Sequence, residues 1–140
     1  MRYDLALIEE LCGEIGLPAV MRSPDRLAIE LAEGAVLCFE NYEKDDCLVE
    51  FESTPWHVHG DFHFAGDGDG VEMTYFDAVA GIVEGHALVC ERWNRGALVD
   101  RWLDHRDRID DFRYMDAGDE IKVRWIVPKA PPAQADGDVA

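Results

Sequence analysis

This 140-residue chain predicts an α+β fold, one mostly antiparallel sheet of about six to eight strands with two helices packed on one of its faces. Three observations lead there. Two segments carry apolar residues at spacings of three and four, and several short segments alternate apolar with polar residues. The reversals between those short segments leave no room for the crossovers that parallel strands require.

The first helix is expected from about Asp4, where Leu5, Ile8, Cys12 and Ile15 make one apolar stripe, and Gly16 and Pro18 stop it. In "RLAIELA" Leu27, Ile29 and Leu31 share a face; the chain turns at Glu33-Gly34 and returns through "AVLCFENY", a hairpin signature. The polar "EKDD" reverses it again into "CLVEFES", and after Pro55 "WHVHGDFHF" reads as a fourth antiparallel strand. The glycines and aspartates of residues 65–70 demand a loop. A second helix follows over 74–84, with Phe76, Val79, Ala80 and Val83 at helical spacing, Thr74 and Asp77 placed as a capping box, and Gly85 as its stop. The final strands are "HALVCERW", then "ALVDRWLD" after a turn at Asn94-Arg95-Gly96, then "EIKVRWIV", whose Ile121, Val123, Trp125 and Val127 form one apolar face. The polar stretch from His105 to Asp119 reads as a long connection. Residues 1–127 thus make one domain, and the proline-rich residues 128–140 a flexible tail.

Charge is the strongest global property. The chain holds 13 basic and 30 acidic residues, a net charge of −17, and residues 1–70 alone carry 4 basic against 16 acidic side chains. Such a field repels nucleic acid and anionic membranes and attracts basic proteins, although solubility alone can also select it. The amino-terminal segment has neither a signal-peptide nor an anchor pattern. Cys12, Cys38, Cys47 and Cys90 show no CxxC spacing, so a reducing cytoplasm without disulfides is the expected setting.

The histidine segment admits a sharper reading. On a strand, His57, His59, Asp61 and His63 project from one face, with Trp56, Val58, Phe62 and Phe64 on the other. Side chains two apart lie about 6.5–7 Å from each other at the backbone, within reach of one Zn²⁺ held at about 2.0–2.1 Å. Over these residues the segment resembles the HxHxDH stretch of metallo-β-lactamase-like hydrolases, except that Phe62 separates Asp61 from His63. It also resembles the HxH pair of the first cupin metal motif, without the glutamate and glycine that follow there. A half-exposed strand yields the same alternation, and the expectation is no cofactor, with a zinc site of His57, His59 and His63 as the alternative. The "GDGDG" loop lacks the ligand spacing of a calcium loop, and no nucleophile motif or phosphate-binding loop is present.

What remains is the acidic surface. Glu40, Glu43, Asp45, Asp46, Glu50 and Glu52 surround the second hairpin, with Lys44 as their cation nearby in sequence. A second acidic group around Asp104–Asp119 is interleaved with Arg106, Arg108 and Arg113, which can neutralise it. In size, charge and lack of a catalytic motif the chain is similar to bacterial immunity proteins, a resemblance of character without a shared motif. It implies a protein-binding inhibitor that covers a basic toxin or nuclease through the acidic hairpin. A metal-binding protein or metal-dependent enzyme centred on the histidine segment is the alternative.

Overall fold

A computed structural model describes residues 1–32, 34–64, 71–108 and 116–126 of the chain. The Asp/Gly loop at 65–70, residues 109–115 of the long connection, and the tail expected from residue 128 lie outside these residues. The fold is α+β with every strand pairing antiparallel, as the hairpin signatures imply.

Helix α1 spans Leu5–Ile15, with the Asp4 carboxylate accepting from the Leu7 N–H and Gly16 closing its end. Helix α2 spans Tyr75–Glu84; the Thr74 hydroxyl accepts from the Asp77 N–H, which satisfies one of the donors that a helix start leaves open. Gly85 ends it at a φ of +79°, and a Cβ there would meet Trp125 at 2.9 Å, so the position admits glycine for two separate reasons.

Ten strands occur among the described residues, more than the six to eight expected, and they divide among three sheets rather than one. Strands β1 (Ala19–Ser23), β2 (Arg26–Ala32), β3 (Ala35–Asn41), β4 (Cys47–Phe51) and β5 (His57–Val58) form a five-stranded meander in chain order. Strands β6 (Phe62–Phe64) and β7 (Val71–Met73) pair alone. Strand β8 (Ala87–Asn94) is flanked by β9 (Ala97–His105) and β10 (Asp119–Arg124) in a third sheet. Strand β1 was not anticipated: "AVMRS" is short, mostly exposed and bounded by Pro18 and Pro24, so it carries little periodic signal. The expected strand 56–64 is broken by Gly60, whose φ of +80° turns the chain, and the Tyr3 hydroxyl donates to the Gly60 carbonyl at 2.8 Å to hold that turn.

The core lies between the inner face of the five-stranded sheet, with Leu27, Ile29, Leu37, Phe39, Val49 and Phe51, and the two helices, which contribute Ile8, Cys12, Val79 and Ile82. Tyr3 seals one end of it, edge-on to Phe39 and Tyr75, and its backbone is tied to the buried Asn41 side chain by a reciprocal pair of hydrogen bonds. Strand β10 ends at Arg124, before Trp125 can join Ile121 and Val123; Trp125 is 60% exposed and lies against Gly85.

The third sheet holds an ionic cluster. Glu91 is 0% exposed and Arg101 5%. Arg101 donates to Glu91 Oε2 at 2.7 Å through Nε, with Nη2 2.6 Å from the same oxygen. Arg124 and the Trp93 indole donate to Oε1 at 2.8 and 3.3 Å. Arg101 Nη1 also donates to the Gly34 carbonyl at 2.8 Å, joining the third sheet to the β2–β3 turn. The pairing depends on a bulge: around the Arg95-Gly96 turn Trp93 faces Leu98 but Arg92 faces Asp100, so Val99 is an extra residue in β9. Without it Glu91 would oppose Asp100; with it Glu91 opposes Arg101.

Burial acts against the Glu91 charge, but the hydrogen bonds from Arg101 and Trp93 and the charges of Arg101 and Arg124 outweigh it and hold the carboxyl below its usual value of 4.5. A depressed carboxyl contributes stability that is complete above its unfolded value and is lost as pH falls through the folded one, so this contribution should begin to fall away below about pH 4.5. Arg101→Met, which leaves the buried carboxylate with Arg124 and Trp93 alone, should cost about 3 kcal/mol in urea unfolding at pH 7, whereas Glu91→Met/Arg101→Met should recover most of that loss and flatten the acid limb of the stability profile.

Candidate functional site

The six acidic residues of the second hairpin divide into two sets. Glu40 on β3, Glu50 at the end of β4 and the neighbouring Glu52 share the outer face of the five-stranded sheet, because positions alternate and the β3–β4 register places them diagonally across the two strands. On that face they meet Arg26 of β2, whose guanidinium nitrogens lie 3.3 Å from Glu40, 3.2 Å from Glu50 and 3.9 Å from Glu52. Arg22 of β1 pairs with Glu52 as well, and the Cys38 thiol donates to the same carboxylate at 3.3 Å. Lys44 is therefore not the only cation at hand: two arginines from earlier strands balance this half of the ridge. The signal was available in the hairpin count, since the β2–β3 register sets Arg26 directly opposite Glu40.

Glu43, Asp45 and Asp46 behave differently. They occupy the β3–β4 turn, exposed to solvent, and among the described residues no lysine or arginine side chain makes an ion pair with them, although the Asp46 carboxylate accepts from the Cys47 N–H at 2.9 Å. The turn is closed by the Asp46 N–H donating to Glu43 O at 3.4 Å and the Tyr42 N–H donating to Asp46 O at 2.8 Å. Lys44 and Asp45 both have positive φ, 58° and 61°, the signs of a type I′ turn. Asn-Gly would adopt that shape readily, whereas Lys-Asp does so at a cost of roughly 1–2 kcal/mol per residue. The cost is met by outside contacts: Arg2 donates to Tyr42 O at 2.7 Å and the Met1 amine to Asp45 O at 2.8 Å. Tyr42 is the residue sequence reasoning overlooked. It is 43% exposed at the root of the turn, and its hydroxyl is bound by Glu40, which with partial burial and the Glu40 and Glu50 charges pushes its pKa up to about 12.

The histidine segment runs alongside. His57 on β5 stands opposite Glu50, and the Trp56 N–H donates to Asp100 at 3.1 Å, tying the approach to β5 onto β9. The His57 and His59 rings are 5.4 Å apart and perpendicular. His57 Nδ1 lies 3.1 Å from Pro55 O; His59 Nδ1 lies 2.8 Å from Cys47 O and 3.4 Å from Asp46 Oδ1. Beyond the Gly60 turn the company changes. His63 sits in the two-stranded sheet opposite Glu72, 3.2 Å from its carboxylate, beside an open hollow of about 490 Å³ lined by Asp61, Phe62, Met73 and Thr74 together with that pair. The structure thus brings His57 and His59 together and sets His63 in a different sheet. Among the described residues no three His, Cys, Asp or Glu side chains form a group that could hold a metal ion.

The four cysteines are free and buried. Burial, reinforced by nearby carboxylates, pushes the Cys12 and Cys90 thiols up to about 12, so neither supplies a thiolate near neutral pH. Among the described residues no helix is long and apolar enough to cross a membrane.

Arg26→Ala should leave three neighbouring carboxylates with Arg22 alone and lower stability by about 1–2 kcal/mol, a loss that shrinks in 0.5 M salt as the repulsion is screened. Lys44→Ala, in the solvated turn, should change stability by a few tenths at most; urea titrations at two ionic strengths check both. Compared with protein-family models, with curated proteins and with solved structures, the chain matches none.

Proposed function

We propose that this protein is a binding protein for a basic partner, an inhibitor of the immunity or antitoxin type that occludes a cationic toxin or nuclease with its β3–β4 turn. The observation that carries this reading is the turn itself. Three exposed carboxylates, Glu43, Asp45 and Asp46, surround a turn whose Lys44 and Asp45 adopt a left-handed backbone that costs free energy to form, beside an exposed tyrosine. Aromatic anchors next to charged groups are the composition of binding hot spots.

Charge distribution supports the same reading. Arg22 and Arg26 offset part of the charge of Glu40, Glu50 and Glu52, and Lys44 and the Met1 ammonium stand beside Glu43, Asp45 and Asp46, so sheet and turn each keep an excess of carboxylates. Such an excess accelerates encounter with a cationic surface and aligns it before contact. The mechanism is occlusion: carboxylates stand where the phosphates of a nuclease substrate would lie, and Tyr42 packs beside them.

The test is charge reversal with the fold intact. Glu43→Lys/Asp45→Lys/Asp46→Lys, all on the exposed turn, should still fold, with a small loss of stability from the Asp46 contacts to His59 and the Cys47 N–H, and should lose affinity for the basic partner co-isolated from native cells by about 2–5 kcal/mol. For the unaltered protein, raising salt from about 50 to 500 mM should slow association far more than it speeds dissociation. A reversed variant that binds the same partner at an unchanged rate overturns the reading.

A further inference from the structure

We propose that His57 and His59 form a two-imidazole site for a divalent transition-metal ion of the Zn²⁺, Ni²⁺ or Cu²⁺ class. The proposal is independent of the partner-binding reading and stands on hydrogen-bond chemistry. Each ring places Nδ1 against a backbone carbonyl, His57 on Pro55 O at 3.1 Å and His59 on Cys47 O at 2.8 Å. A carbonyl oxygen can only accept, so in both rings Nδ1 carries the hydrogen and Nε2 keeps its lone pair. Both imidazoles are thereby fixed in a tautomer that leaves Nε2 free as a metal donor, by the type of contact that orients ligand histidines in metal sites. For His59 the Asp46 carboxylate adds a second acceptor, 3.4 Å from the same nitrogen, which reinforces that tautomer.

Spacing agrees. An imidazole bound through Nε2 at about 2.0–2.1 Å puts the ion about 3 Å from the ring centre, so two rings sharing it at a tetrahedral angle stand about 5 Å apart. The two centroids are 5.4 Å apart. Both side chains lie in solvent, so an ion needs no opening of the fold to reach them. Imidazole nitrogen favours borderline ions over Mg²⁺ or Ca²⁺, and within that class Cu²⁺ binds tightest. His63 is not a third ligand: it belongs to another sheet and faces Glu72. The site therefore has two protein donors and keeps its other coordination positions open.

The experiment uses the full chain without an affinity tag. Calorimetric titration with Zn²⁺ should give one ion per chain, and Cu²⁺ electron paramagnetic resonance should show two nitrogen ligands. His57→Gln and His59→Gln should each weaken Zn²⁺ binding about tenfold or more, while His63→Gln leaves it unchanged. Equal melting temperatures of the variants in metal-free buffer separate loss of the site from loss of the fold. Failure to bind one ion per chain, retention of affinity in His57→Gln/His59→Gln, or loss of affinity in His63→Gln would overturn the proposal. None of these results bears on whether the acidic turn holds a basic partner.

Discussion

The buried carboxylate of Glu91 is the point on which the arrangement of the sheets depends. It belongs to β8, takes guanidinium donors from β9 and β10, and through Arg101 reaches the carbonyl of Gly34 in the five-stranded sheet. A charge in a water-free position is tolerated only with its partners in place, so the cluster permits one relative placement of the two sheets and penalises every other. Arg101 also lies 6.0 Å from the Phe51 ring, and its carbonyl accepts from the Thr54 hydroxyl. The path of the chain into β5, and with it the position of His57 and His59, follows from where β9 lies.

The same logic of forced pairing operates on the outer face of the first sheet with the opposite result. There the carboxylates are half in water, and Arg26 gathers three of them without being isolated from solvent. The pairing offsets part of the repulsion among them. In the adjoining turn a local backbone strain at Lys44 and Asp45 lies among exposed acidic side chains.

Much of this was legible in the sequence where the determinants are local. Asp4, Gly16, Thr74 and Gly85 marked the two helices because caps act within a few residues. The turns at Arg95-Gly96 and between β3 and β4 were legible from polar residues between apolar runs. The break at Gly60 was not, because the alternation of histidines and aromatics runs through the turn without interruption: Phe62 and Phe64 are buried and His63 exposed, as one continuous strand would have them. The bulge at Val99 was equally hidden, since one inserted residue alters no periodicity that a short segment can show, yet it decides whether Glu91 meets an arginine or an aspartate. Of the acidic ridge, the sequence located all six residues but could not divide them, because the cations that neutralise half of them come from strands 14 to 30 positions earlier.

Strand β1 carries a consequence for the behaviour of many copies together. It lies at one end of the five-stranded sheet, a site where another chain could add a strand. It is five residues long, has Pro18 before it and Pro24 after it, and shifts register between Met21 and Ser23. Prolines, brevity and an irregular ladder all frustrate the continuous pairing on which fibrils are built. Val20, 63% exposed at that edge, is accordingly an apolar side chain that a neighbouring copy has little backbone to grip. With a net charge of −17 on every molecule, copies approach one another against repulsion as well. Crowded copies of this protein are thereby hindered from pairing strand to strand at this edge.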